Sequence, residues 1–143
     1  MNISLDILAR DFDILPPATS SEITEAERYF NYSFPDDYKD FLLLTNGLEG
    51  ELNHNYLVLW SVKELIELNA AYLVKEFIDD IIIFGSDGEE DAFGFDTSNK
   101  HPPIVKLPFI GMGHIPNEKL SDTFEGFLLS KTKNKDFLQR FFG

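Results

Sequence analysis

The residues of this sequence best suited to chemistry are four carboxylates in one short acidic stretch. Asp87, Glu89, Glu90 and Asp91 surround Gly88 and follow an apolar run. Carboxylates at this density could hold a hard cation such as Ca²⁺, but the D-x-D-x-D-G spacing of an EF-hand is missing. The pattern therefore favours a solvated acidic turn over a metal site, and we expect any function nearby to involve its charge.

Other residue types that perform chemistry do not assemble into a recognisable site. His54, His101 and His114 are far apart, and no pair has the spacing of zinc ligands. The segment Gly85–Gly88 is not a nucleophile elbow, and no phosphate-binding glycine loop follows a strand. We therefore predict no catalytic residues, no metal and no cofactor.

Net charge is the strongest global property. The 143 residues include 12 basic and 25 acidic residues, which gives −13. Such a surface repels nucleic acid and anionic membranes and attracts basic partners, although acidity can also serve solubility alone. There is no cysteine, no basic leader and no apolar run that could cross a bilayer, so we expect a cytoplasmic protein with one domain over residues 1–143. The sequence predicts no particular oligomeric state.

A β-hairpin is the strongest local prediction, because an apolar run and an aromatic run flank the acidic turn. Ile81–Phe84 is apolar throughout, as in a strand covered on both faces. In the second run Phe93 and Phe95 would share one face. Gly85 and Gly88 could supply positive φ angles to the connection.

Helical patterns precede this hairpin. A short helix is expected within Ile3–Phe12, and capping boxes at Thr19–Glu22 and Ser61–Glu64 predict two more. Pro35 suits the first position of another helix, which Asn46-Gly47 should end in a left-handed cap. Asp36 and Asp37 fall in its first turn, where carboxylates favour the helix dipole; a metal or partner site is the alternative.

The remaining segments complete a mixed pattern. We expect a loop over Glu49–Asn55 and strands over Tyr56–Trp60 and Ile104–Leu107. A helix is expected over Leu120–Lys131, with Phe124, Phe127 and Leu128 directed inward. A final short helix or a tail is expected over Phe137–Phe142. Lys131, Lys133 and Lys135 make this end locally basic, and Trp60 is expected in the core. Together the elements predict an α+β fold with a mainly antiparallel sheet flanked by helices.

The order and spacing of these landmarks resemble the SUKH superfamily, in particular its Smi/Knr-like branch. The matching stretches are Pro17–Thr19, Phe34–Leu42, Thr45–Gly47, Leu59–Ser61, Ile83–Gly88, Phe93–Asp96 and Phe124–Leu128. The resemblance implies a single SUKH-like α+β domain without catalysis. It also implies a role like that of bacterial immunity proteins, which neutralise toxins, nucleases among them; fungal relatives regulate cell-wall assembly.

Charge and resemblance together give a first hypothesis for function. An acidic face formed by Asp87, Glu89, Glu90 and Asp91, extended by Glu49 and Glu51, would dock on a basic protein toxin. The alternative is a small-molecule-sensing or regulatory domain. Its cleft between sheet and helices would be lined by the glycine-rich segment Phe109–Ile115.

Overall fold

The computed structural model describes residues 4–132, which form six helices and a seven-stranded sheet. The helices are α1 (Leu5–Asp11), α2 (Ser20–Phe30), α3 (Asp36–Leu44), α4 (Val62–Ala71), α5 (Val74–Phe77) and α6 (Phe124–Thr132). The strands are β1 (Asp13–Ile14), β2 (Leu48–Leu52), β3 (Asn55–Leu59), β4 (Ile81–Ser86), β5 (Asp91–Asp96), β6 (Ile104–Pro108) and β7 (Glu118–Ser121). The predicted α+β class is confirmed.

The sheet has the order β1-β2-β3-β4-β5-β6-β7, and each neighbouring pair is antiparallel. The predicted β4–β5 hairpin lies at its centre. All six residues of β4 are buried, as the continuous apolar run indicated. Gly88 has the expected positive φ of 80°. Gly85 instead allows β4 to approach β3 closely, because a Cβ there would lie 2.3 Å from the Val58 carbonyl oxygen of β3.

Each face of the sheet carries its own apolar core. The first face packs against α1, α2, α3, α6 and the first turns of α4, and its core contains an aromatic cluster of Tyr38, Phe84, Phe95, Phe124 and Phe127. The second face carries Trp60, Val74, Ile83, Val105 and Met112. Phe93 and Phe95 both belong to the first core, as the alternation predicted.

Helix α4 completes the sheet where β3 ends. β3 pairs with β4 at Val58–Ser86 and Leu59–Gly85, so within residues 4–132 the backbone of Ile83 has no strand on that side. The Asn69 carboxamide takes the place of a strand there. Its Oδ1 accepts from the Ile83 N–H at 3.0 Å, and its Nδ2 donates to the Ile83 carbonyl at 2.7 Å. A buried amide thus satisfies a buried peptide group.

Local signals predicted where α2 and α4 begin. Both capping boxes, Thr19 with Glu22 and Ser61 with Glu64, are present with reciprocal hydrogen bonds. The end of α3 was predicted wrongly. Its C-cap is Thr45, in an extended conformation, because the buried Thr45 hydroxyl bonds to the Leu15 backbone and the Gly47 carbonyl.

Two further predictions differ from the structure. Pro35 is the N-cap of α3, one residue before its first helical position. Glu49–Asn55 is not a loop, since residues 48–52 form β2 and β3 begins at Asn55. The alternation of β2 was hidden because its central inward residue, Gly50, has no side chain and packs against Phe12.

The C-terminal prediction also needs correction. Leu120 belongs to β7. Helix α6 begins only at Phe124, and the hydroxyl Oγ1 of the preceding residue, Thr123, accepts a hydrogen bond from the Gly126 N–H at 3.0 Å. The inward positions of Phe124, Phe127 and Leu128 are confirmed. The segment Phe137–Phe142 lies outside the described residues, as do Lys133 and Lys135.

The Asn69 contact yields a stability prediction. Asn69→Ala would leave the Ile83 N–H and carbonyl buried without partners, so we expect the free energy of unfolding to fall by about 2–4 kcal/mol. Urea titration followed by tryptophan fluorescence measures this. The same substitution at exposed Asn99 should change it by less than about 0.5 kcal/mol. Equal effects at the two sites would contradict the role of Asn69.

A second prediction concerns Tyr38, whose hydroxyl is buried without a hydrogen-bond partner among the described residues. Burial raises the pKa of this phenol. Because Tyr38→Phe removes an unpaired polar atom and keeps the ring contacts, we expect it to stabilise the fold by about 1 kcal/mol in urea titrations. Tyr29→Phe, at a residue that is 53% exposed, is the control and should be neutral. A clear loss of stability in Tyr38→Phe would show that the hydroxyl has a partner in solution.

Candidate functional site

The acidic turn between β4 and β5 is shaped by one of its own carboxylates. Asp87 Oδ1 accepts from the backbone N–H groups of Glu89, at 2.9 Å, and Asp91, at 3.1 Å. The Asp87 N–H in turn donates to the Asp91 carbonyl at 3.1 Å. Asp87 and Asp91 are half-buried, whereas Glu89 and Glu90 are exposed. The turn therefore holds two glutamates outward on an ordered backbone.

A second acidic group lies on β1 and β2. Glu49 and Glu51 are exposed, and the strand register places Asp13 directly opposite Glu49 on the same face of the sheet. This is the second face, away from α2, α3 and α6, because the alternate residues Leu48 and Leu52 of β2 pack in the first core. Three carboxylates are thus concentrated at one end of that face.

Tyr56 of β3 connects these two groups. Desolvation, the interaction of its hydroxyl with Glu49 and the charges of Glu49, Asp13 and Glu51 all raise the pKa of Tyr56. The ring lies over Gly88, where an added Cβ would be 2.6 Å from Cδ1. The turn and the strand carboxylates are therefore neighbours, and we call the surface formed by Asp13, Glu49, Glu51, Glu89 and Glu90 around this ring the acidic face.

Two lysines approach the turn from the opposite face of the sheet. Lys106 pairs with Glu118 at 3.1 Å, and this hydrogen bond, the Glu118 charge and the smaller effects of Asp91 and Asp87 raise its pKa. Lys131 lies over the Phe93 ring at 5.1 Å. Burial lowers the pKa of Lys131, and the like charge of Lys106 lowers it further. Cations therefore accompany Asp87 and Asp91 on the helical side.

The six residues predicted from the sequence thus occupy different environments. Glu49, Glu51, Glu89 and Glu90 point into solvent, while Asp87 and Asp91 organise the turn beside lysines. Sequence reasoning missed Asp13 and Tyr56. The polar alternation Glu49-x-Glu51 could have indicated β2, but nothing in the sequence indicates that a two-residue strand would place Asp13 opposite it.

Chemically, the acidic face offers hydrogen-bond acceptors and negative charge. Within residues 4–132, no three His, Asp or Glu side chains are grouped so that they could hold a metal ion. A basic protein surface, rich in Lys and Arg donors, is the natural complement of such a site.

The other residues considered from the sequence have structural positions. Asp37 Oδ1 accepts from the Tyr38 N–H and Oδ2 from the Glu125 N–H, so this carboxylate joins the beginnings of α3 and α6. Trp60 is 5% exposed, which confirms a core residue. The three histidines are exposed and separate in sequence.

Two clefts lie away from the acidic face. The larger, about 610 Å³, lies between the end of α2, α4, α5 and the start of β4. The smaller, about 390 Å³, lies where α3 and α6 begin and includes Lys100 and His101. The glycine-rich segment 109–115 lines neither cleft. Among the described residues no helix has the length and apolar character needed to cross a membrane.

Comparison with known proteins agrees with the sequence resemblance. The uncharacterized protein YnaB of Bacillus subtilis (strain 168) is 32% identical over 74 residues, which cover 52% of this chain and 47% of YnaB. The chain therefore spans about half the length of this curated relative. Residues 17–130 match the model of the SMI1/KNR4 family, SUKH-1. This match covers most of the sequence, and the chain belongs to the SMI1/KNR4 family.

Proposed function

We propose that this chain is a non-catalytic immunity-type protein that binds and neutralises a basic protein toxin in the cytoplasm. The family membership supports this class of function, since toxin immunity is frequent in the SUKH group. The observation that carries the proposal is the acidic face around Tyr56, where carboxylates from two strands and a turn adjoin.

The neighbouring carboxylates on β1 and β2 repel one another and lower the stability of the sheet, which supports a functional role for them. Asp13 and Glu49 are directly opposite in the strand register, and like charges in such a pair destabilise a sheet. Glu51 adds a third charge close to the Tyr56 hydroxyl. Solubility alone would be served equally well by charges spread apart. A partner that supplies cations would relieve this repulsion when it binds.

The proposed mechanism is steric and electrostatic. Exposed Glu49, Glu51, Glu89 and Glu90 accept hydrogen bonds from Lys and Arg side chains of the toxin. If the toxin is a nuclease, these carboxylates occupy the positions that substrate phosphates would take. Opposite charges also accelerate encounter, which matters because protection requires capture before the toxin acts. Asp87 and Asp91 remain in the contact area as residues that shape the turn.

A small-molecule-sensing or regulatory domain is the second candidate, and the 610 Å³ cleft favours it. Tyr29, Tyr32 and Asp80 line this cleft, which gives it both aromatic and acidic groups. A thermal-shift screen of metabolites separates the candidates. Stabilisation by a metabolite without retention of any basic protein would favour sensing.

The main test uses charge reversal at the exposed glutamates of the turn. The partner probe is the polypeptide encoded by the neighbouring open reading frame, immobilised for binding kinetics. We expect the wild-type chain to bind it, and Glu89→Lys with Glu90→Lys to weaken binding by at least about tenfold, because two attractive charges become repulsive.

The matched control reverses the same number of charges on the other side of the molecule. Glu25→Lys with Asp40→Lys changes two exposed carboxylates on α2 and α3 and should leave affinity within about twofold. Equal losses in both double variants would show that only total charge matters. Failure of the wild-type chain to retain any basic polypeptide at low salt would refute the proposal.

Salt dependence provides a separate prediction. The association rate of the wild-type chain should fall steeply between low and physiological ionic strength, because screening shortens the range of the acidic face. The Glu89→Lys, Glu90→Lys variant should show a shallower slope in stopped-flow measurements. Identical slopes for the two proteins would exclude electrostatic steering by the turn.

A further inference from the structure

The second face of the sheet also carries an exposed apolar patch beside the acidic face. Its four large side chains are Tyr72, Phe77, Ile110 and Ile115, which we call the apolar patch. They are exposed by 44%, 54%, 92% and 52%, respectively. Single exposed apolar residues are ordinary, but a group of four large ones on neighbouring segments is not.

Contacts show that these residues belong to one surface. The Tyr72 ring stacks on Trp60, with centroids 6.4 Å apart, and meets Phe109 at 4.7 Å. Ile110 follows Phe109 directly. The turn that carries Ile110 and Ile115 reaches α5 at Gly113, where a Cβ would be 2.0 Å from the Phe77 carbonyl oxygen. The patch therefore combines the end of α4, α5 and the turn 109–115.

The patch adjoins the acidic turn through the backbone. The Phe109 N–H donates to the Glu90 carbonyl at 3.0 Å, and Pro108 pairs with Asp91 in the strand register. Exposed Glu89 and Glu90 thus border the patch. An apolar centre with a charged rim is the usual anatomy of a protein interface.

The patch is also held in place without a partner. Met112, at the middle of the turn, is buried in the second core, while Ile110 points outward. Gly113 has a positive φ of 85° and contacts the α5 backbone closely, so a side chain would not fit there. Because the backbone of the turn is already ordered, it loses little backbone entropy on binding, which increases the affinity that the patch can supply.

We infer that the apolar patch is the affinity anchor of the toxin interface, with Ile110 at its centre. The inference rests on the proposed function and names the partner chemistry more closely: a basic surface that presents an apolar or aromatic side chain flanked by Lys or Arg. Charges at the rim set the rate of encounter, whereas buried apolar contacts determine how long the complex lasts.

Charge decides between this partner and a second copy of the chain. Contact between two copies through this patch would bring Glu89 and Glu90 of both copies together, in proteins of net charge −13. A basic partner instead gains from the same glutamates. The rim therefore selects a cationic protein as the occupant.

The test separates the two stages of binding kinetically. With the same immobilised polypeptide, Ile110→Ser should raise the dissociation rate by about tenfold or more and leave the association rate and its salt slope unchanged. Because Ile110 is 92% exposed, its replacement should preserve the melting temperature. Ile7→Ser, the same substitution at a 45% exposed residue of α1, is the matched control and should bind as the wild type does.

Each other outcome has a definite meaning. If Ile110→Ser and the Ile110→Ser, Ile115→Ser double variant dissociate at the wild-type rate while charge reversal still slows association, this inference is wrong and the proposed function stands. If the wild-type chain binds no basic polypeptide, the proposed function fails and the inference with it. A wild-type dimer in sedimentation experiments that Ile110→Ser abolishes would assign the patch to self-association and overturn the inference.

Discussion

The end of β3 at Leu59 is the constraint on which the rest of the structure depends. After the last backbone bond, from the Trp60 N–H to the Phe84 carbonyl, Ile83 of β4 is paired instead with the Asn69 side chain of α4. The chain must therefore bring a helix beside the sheet at this point. As a result, α4 lies at the edge and places Val62 and Leu65 in the first core, whereas α5 and the turn 109–115 cover one half of the second face and leave the other half exposed.

The two halves of the second face expose different kinds of side chain, because only one of them is covered by further elements of the chain. The open half presents Asp13, Glu49, Glu51 and Tyr56, which none of the six described helices covers. The covered half contains Trp60, Ile83 and Met112 and ends in exposed apolar side chains. Their boundary is the β4–β5 turn, whose glutamates border both. One turn thus joins an electrostatic surface to an apolar one.

The sequence predicted elements whose stability is local and missed those that depend on distant partners. The β4–β5 hairpin, both capping boxes and the core position of Trp60 follow from nearby residues. β1 could not be predicted, since two residues carry no periodicity. For the site, the acidic turn was evident, but the contact of Tyr56 with Gly88 and the approach of Lys106 and Lys131 arise only through the sheet register and α6 packing.

The strand order has a consequence for how the chain acquires its shape. Every strand pairs with the strand adjacent to it in the sequence, so the sheet can grow in one direction during synthesis. The β2–β3, β4–β5 and β5–β6 pairings close short loops and form faster than pairings across long connections, such as β1–β2, which encloses α2 and α3. On a ribosome, β2 and β3 can pair before β7 has been translated. The carboxylates on β1 and β2 thus emerge early, while α6, which completes the aromatic core, is translated after all seven described strands.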